Sequence, residues 1–432
     1  MRKRIVELMV PVLAAVVFAA LNFLPFFQTA EHRIYDLFLH IKPAIPERAE
    51  ILLLDVDDTA IENVGLWPWS RDYMARGLLV LRELDSSYVT FDIEYVDSSP
   101  QAVDGRFLRQ QFPVILENQL GYVQGQIQAL FGALAEGQIP VSDAVDFIDD
   151  LVGLTEEAKS QIRSAAEEVV QDNDAYLGRA AAFHGQAYFT VRVLTDEGTA
   201  STTTPELVEL IDLEQIDTTP NASLRRGEDV IAAIPPVLSR GRGAGFPNVV
   251  VDPDGVRRRI DLVANVGDDY FGQLVFTPLL DWLGSPPIRV TRDTVTIEGA
   301  VLPGSEQPVD LTIPLTTDGR MLINWPKAEY EDSFRHETYW RVVRDWEDEA
   351  AIVERLLLMR EAGYTQLFPD EAYLFQVYDY ATMLQDDVMS GGDPVQTEER
   401  RLAKAEFFND VGQPPDADAQ DALLAEHQRI ID

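Results

Sequence analysis

Apolar positions follow different rhythms along the chain, and each rhythm predicts a different element. From Leu8 to Phe27 (LMVPVLAAVVFAALNFLPFF) they run almost unbroken. Such a stretch, rising ~1.5 Å per residue, spans about 30 Å, the thickness of a bilayer's hydrocarbon core, and predicts one N-terminal transmembrane helix. Pro11 falls in its first turn and Pro25 near its exit, where both are tolerated. Glu50–Asp57 (EILLLDVD) is a short apolar run closed by carboxylates, the pattern of a buried strand in an α/β sheet. Ser70 then stands as a helix cap before RDYMARGLLVLREL, where Met74, Leu78, Leu81 and Leu84 recur at helical spacing. Tyr88–Tyr95 (YVTFDIEY) reads as the next strand. Strand, helix and strand in such quick succession predict a right-handed crossover joining a parallel pair.

Residues 104–182 then read as a helical insertion, with Leu151, Leu154, Ala158 and Ile162 forming one stripe, and Gln186–Leu194 (QAYFTVRVL) resumes the sheet. Residues 195–230 are rich in Thr, Pro and Asp and read as loop. Asp252-Pro253-Asp254-Gly255 lies between two β-rich runs, a hairpin signal. Phe271–Leu283 reads as a helix, and short strands are predicted at 287–299 and 309–324, the latter turning on Asp318-Gly319. Beyond Trp325 the chain becomes acidic and helical, with helices expected around Ile352–Met359, at 369–390 and at 398–408. The predicted fold class is therefore α/β: a mixed-sheet domain with large helical insertions, preceded by the transmembrane helix. The divisions follow: 1–30 as cytoplasmic terminus and anchor, 31–340 as the main domain, and 341–432 as an acidic helical segment, either an insertion or a truncated continuation.

Charge decides which partners are open to it. Acidic residues number 73 against 35 basic ones, a net of -38, and such a surface repels phosphate backbones, so no nucleic-acid role is expected. Five of the bases are Lys. Cysteine is absent, which removes disulfides, thiolate metal sites and thiol nucleophiles together. Arg2, Lys3 and Arg4 precede the apolar run, and the positive-inside rule places them in the cytoplasm, leaving everything after about residue 30 outside. A cleaved signal peptide is the alternative, but the run exceeds the ~7–15 residues of a signal core and Gln28-Thr29-Ala30 is a poor cleavage site. The expected membrane contact is through residues 8–27, in a single pass.

Three blocks surround the first strand–helix–strand unit: Asp55-Val56-Asp57-Asp58-Thr59, Gly65-Leu66-Trp67-Pro68-Trp69-Ser70-Arg71, and Phe91-Asp92-Ile93-Glu94-Tyr95. Their order resembles the second type of CHASE domain, an extracytoplasmic sensory module of adenylate and guanylate cyclases and histidine kinases. Tyr35-Asp36-Leu37-Phe38 fits that family's lead-in helix. Gly245-Phe246-Pro247-Asn248, Asp252-x-Asp254-Gly255-x-x-Arg258, Pro314-Leu315, Asp318-Gly319 and Ile323-Asn324-Trp325 fit its later turns and strands. The resemblance covers roughly 31–100 and 180–340, and Trp67–Arg71 is its most specific block. It implies a sensory input region bound by an unknown extracytoplasmic ligand or protein partner, signalling as a homodimer, with an output enzyme, a nucleotide cyclase by family association, outside this chain.

Read as chemistry, Pro68 fixes its own backbone and presents Trp67 and Trp69 at one corner. Arg71 is positioned to reach carboxylates at the strand ends. Asp55, Asp57, Asp92 and Glu94 either line a shared ligand crevice with it, or join it in a satisfied polar network supporting the corner. Neither a catalytic residue, a metal ligand set nor a cofactor is expected. The competing enzyme reading takes Ile51–Ile61 (ILLLDVDDTAI) as similar to the nucleophile loop of haloacid-dehalogenase phosphatases, with Asp55 attacking phosphorus and Asp57 as acid. Its remaining parts, Thr190, Lys159 and Asp268-Asp269, occur in the wrong order. His32, His40, His184, His336 and His427 show no ligand spacing. Asp252–Gly255 lacks the Glu that a calcium loop needs at its twelfth position, where Val263 stands.

Overall fold

The computed structural model describes residues 25–100, 102–103, 108, 112–140, 146–168, 170–195, 203–305, 307–363, 371–389 and 396–411, with positions 9, 11–13 and 15–17 ahead of them. Half of the predicted membrane span at 8–27 lies outside the described residues. Among the described residues, no helix is long and apolar enough to cross a membrane.

The helix predicted after Ser70 forms as Arg71–Glu83. It buries Met74, Ala75, Leu78, Leu79 and Leu81, while Leu84, just past its end, is exposed. That buried stripe packs on the helix Asn173–His184 through Leu177, Ala180 and Ala181. Asp172 caps the second helix, its carboxylate accepting from the amides of Asp174 at 3.0 Å and Ala175 at 2.9 Å. Gly185 closes it at φ 82°, a left-handed position that glycine occupies without penalty. This helix was expected within the insertion, but its inner face belongs to the core. Its small residues, two alanines and Gly178, give only a weak periodic signal from sequence. The helices Phe112–Ala135 and Asp146–Glu168 pair with each other, and the first buries no residue.

The strand Ala187–Leu194 resumes the sheet as expected and is its centre. Val89–Thr90 pairs with it in parallel on one side and Gly243–Gly245 in parallel on the other. Asp229–Ala232 joins antiparallel further along. Phe91 and Phe189 stack beneath with centroids 5.2 Å apart, and Tyr95 meets Phe189 edge-on at 5.9 Å. A second layer is the sheet of Pro308–Pro314, Thr294–Val301, Ile288–Val290 and Ile216–Thr218, antiparallel except for its last pair. Its apolar face, with Ile288, Val290, Val295 and Ile297, packs on the helix Phe276–Trp282. The helix predicted over 271–283 is thus shorter, because Asp269–Gly272 is a strand paired with Val263–Val266.

Further expectations are corrected. The strand Leu52–Asp55 does not pair with the 88–95 segment; it pairs in parallel with Arg335–Thr338, from Leu52↔Arg335 to Asp55↔Thr338. Nor is it the buried strand expected, since Leu52 is exposed and Leu53, Leu54 and Asp55 are half-buried; an apolar run announces a strand but carries no information about a partner some 280 residues away. Asp252–Gly255 forms a tight turn, Gly255 N–H donating to Asp252 O at 2.8 Å and Asp252 N–H to Val256 O at 2.9 Å, yet among the described residues no strand ladder extends from it. The following Arg259–Ile260 pairs instead with Met321–Leu322, just after the Asp318-Gly319 turn. After Arg335–Thr338 the chain runs into the helix Tyr339–Glu361, whose Tyr339 and Val343 join the main core against Arg71–Glu83. The acidic helices Glu371–Met389 and Gln396–Val411 pack on that helix through Leu356, Leu374, Val377 and Phe407. Arg400 and Lys404 of the last helix both bond Glu83.

Candidate functional site

The seven residues singled out from sequence do not share one environment. Asp55 ends the first strand, where its carboxylate accepts from Tyr330 Oη at 2.9 Å and lies 2.6 Å from His336 Nδ1. His336 comes from the paired strand, and Tyr330 packs edge-on against its ring at 4.7 Å. The hydrogen bond to Asp55 holds the imidazole's pKa above its ordinary 6.5. Asp57 caps the helix Asp58–Val64, accepting from Ala60 N–H at 2.8 Å and from Thr338 Oγ1 at 2.6 Å. Both acids therefore tie the segment around the first strand to residues 330–338. Thr190, a residue the phosphatase reading needs, donates to Ile93 O, and Lys159 pairs with Glu156.

Arg71 does not reach any strand-end carboxylate. Its guanidinium donates to Asp174 and to Asp97 O and lies 5.2 Å from the Tyr95 ring centroid. Asp174 also accepts from Ser99 N–H, and Asn173 donates to Ser70 Oγ at 2.6 Å. The correction is topological: the helix after the insertion brings Asp174 to the corner first, and Arg71 is buried with it. Glu94 faces Arg192 at 3.5 Å, and Asp92 is exposed. These acids and Arg71 do not line one crevice. The corner itself is built as the sequence suggests: Trp67 and Trp69 meet edge-on at 5.3 Å across a cis Trp67–Pro68 bond, and Trp69 Nε1 donates to Gly65 O at 2.7 Å. Trp69 continues inward to Tyr339 at 5.8 Å, while Leu66 stands 87% exposed at the tip.

The most connected charge cluster was not singled out as a site. Arg258, 3% exposed, donates from Nε and Nη2 to the two oxygens of Asp36, each at 2.7 Å. It also bonds Asp252 at 3.0 Å and Asp254 at 2.8 Å. Arg259 bonds Asp252 and Asp318, Arg320 bonds Asp318 and Asp261, and Arg225 bonds Asp261. Hydrogen bonding by Arg258 lowers the pKa of Asp36 and takes that of Asp254 down to about 2. Asp36 sits on the helix Pro25–Ile41, so the ladder fastens that helix to the turns of the second layer. Tyr35 Oη donates to Ile323 O at 3.0 Å alongside it. Donor atoms of His32, Asp252 and Asp254 converge within 4.8 Å, but Arg258 already neutralises both carboxylates. The sequence carried each half of the clamp, Tyr35-Asp36 and Asp252-x-Asp254-Gly255-x-x-Arg258, without a signal that they meet across 222 residues.

Neither a curated protein nor a solved structure matches the chain significantly. The CHASE2 domain profile matches it over residues 12–361, a stretch running from the apolar N-terminal segment through the clamp and the Trp corner to the end of the Tyr339–Glu361 helix. That match takes in most of the chain, and the protein belongs to the CHASE2 domain family, whose members are extracellular sensory domains of signalling proteins.

Proposed function

We propose that this chain is the extracytoplasmic input region of a membrane-anchored signalling protein. Residues 8–27 tether it in a single pass, it works as a homodimer, and its output enzyme is a nucleotide cyclase. The observation that carries the reading is the clamp. The helix directly after the apolar stretch is bonded into the domain through a buried, bidentate Arg258–Asp36 pair, so a change within the domain is felt by the segment leading to the membrane. In the apolar stretch, Met9, Val12, Leu13, Val16 and Val17 are exposed, which suits contact with lipid. The phosphatase alternative gains nothing from the geometry, since Asp57, the acid it needs, is engaged as a helix cap.

The absence of cysteine makes the topology directly measurable. A single Leu66→Cys substitution at the exposed corner is expected to react with a membrane-impermeant maleimide in intact cells. Labelling that appears only after permeabilisation would place the domain in the cytosol and end the reading.

A further inference from the structure

A cavity of about 270 Å³ opens where the helix Pro25–Ile41 ends, between the linker that follows it and the turn Asn324–Lys327. In a chain whose acids outnumber its bases about two to one, the balance here is reversed: Lys42, Arg48 and Lys327 line the cavity, with Glu47 the one acid. Two of the five lysines of the whole chain are in this wall. Their bonding is unlike that of the other described lysines. Lys159 pairs with Glu156, and Lys404 pairs with Glu83 and Glu349. Lys42 instead donates to Trp325 O at 3.4 Å and Lys327 to His40 O at 2.9 Å, each ammonium keeping donors to spare. Among the described residues, no carboxylate forms an ion pair with Lys42, Arg48 or Lys327.

Apart from Asn324, the rest of the wall is apolar and aromatic. Trp325 spends its N–H on Arg257 O at 2.6 Å, which leaves the indole face half open, and Ile45 and Ile51 flank it. Phe334 contributes a second ring from a backbone at φ 42°, a left-handed conformation that bulky residues rarely adopt. Ser333, just before it, is tied back to Tyr330 O through its Oγ at 2.8 Å, so the surrounding turn holds that conformation in place. Unpaired cations beside flat apolar walls are the makings of a site for an anion with an apolar body.

We propose that this cavity binds a small organic carboxylate with a flat apolar body. The carboxylate is held by Lys42, Arg48 and Lys327 and the ring lies against Trp325 and Phe334. These cations come from the helix end, the linker and the body of the domain, so one ligand joins all three. The proposal gives the sensor a ligand class, and only its signalling consequence rests on the sensor reading.

The test titrates the purified full chain in detergent with benzoate by calorimetry. Benzamide serves as the ring without the charge and inorganic phosphate as the charge without the ring. Benzoate is expected to bind saturably at one site and to weaken as salt is raised. The double variant Arg48→Gln/Lys327→Gln is expected to lose about tenfold or more in affinity. Glu47→Gln removes the opposing acid and is expected to tighten binding about threefold, a gain that misfolding cannot produce. Benzamide or phosphate binding as tightly as benzoate, or a double variant that binds benzoate unchanged, would overturn the assignment. The maleimide result at position 66 is independent of this titration, so the ligand site and the topology fail separately.

Discussion

Gly77 lies in the middle of the helix Arg71–Glu83, where glycine ordinarily weakens a helix by ~1 kcal/mol relative to alanine. Propensity alone therefore makes Gly77→Ala stabilising. The structure reverses the sign. A Cβ at this position would overlap the hydroxyl oxygen of Tyr339 and sit 2.8 Å from its ring carbon Cζ. Tyr339 is buried at the start of the helix Tyr339–Glu361, donates to Tyr73 O at 3.0 Å and packs on Trp69. Its ring has no slack in which to retreat. Overpacking of this kind costs about 1–3 kcal/mol, and a displaced ring leaves a buried hydroxyl and a buried carbonyl unpaired at about 1–3 kcal/mol more. Set against the helix gain, Gly77→Ala should destabilise by roughly 1–5 kcal/mol. Urea unfolding followed by far-ultraviolet circular dichroism reads this as a lower midpoint at an unchanged slope. In a Tyr339→Leu background the same substitution should become favourable by ~1 kcal/mol, because the obstacle is gone. A Gly77→Ala protein more stable than the parent would refute the claim that Tyr339–Glu361 is seated on this glycine.

Other expectations follow from the ion pairs and histidines. Replacing Arg258 by Ala leaves the nearly inaccessible Asp252 with Arg259 as its one remaining arginine partner and should cost about 3 kcal/mol, whereas Asp36→Ala should cost only ~1–2 kcal/mol; a double-mutant cycle with coupling near zero would show that the lead-in helix is not clamped. Burial takes the pKa of His184 from 6.5 down to about 4. The unfolded chain therefore takes up this proton first, and stability present in full above 6.5 is lost as pH falls toward 4, by up to about 3 kcal/mol. His184→Gln should flatten that part of the stability profile, and an unchanged acid limb would contradict it. His336 has the opposite sign: its raised pKa gives stability that is complete below 6.5 and fades as pH rises through the higher folded value, so His336→Gln should remove this alkaline loss and nothing on the acid side.

Local patterns told more about elements than about partners. The stripe of Met74, Leu78 and Leu81 located a helix, and the dense apolar run of 187–194 located the central strand, because each depends on residues a few positions apart. The corner was legible for the same reason, Trp67, Pro68 and Trp69 being neighbours in the chain. Arg71 was legible as a residue needing a carboxylate, but its partner Asp174 lies beyond a helical insertion, and nearer acids competed for the assignment. Asp55 and His336 show the limit most clearly. Neither is unusual alone, and only the pairing of the first strand with a strand 283 positions later sets them 2.6 Å apart. Charge composition pointed away from nucleic acid but hid the basic cavity, because Lys42, Arg48 and Lys327 are scattered until the fold gathers them.

The parallel register of Leu52–Asp55 with Arg335–Thr338 has a mechanical consequence. The chain comes into this ladder from the Pro25–Ile41 side at one end and leaves it into Tyr339–Glu361 at the other. Tension between those two flanking helices therefore pulls along the strands, and the inter-strand bonds share the load at once instead of parting one after another like teeth of a zip. With the Asp55–His336 and Asp57–Thr338 bonds as cross-pins, the junction acts as a stiff coupling that passes axial strain between the flanking helices before it yields.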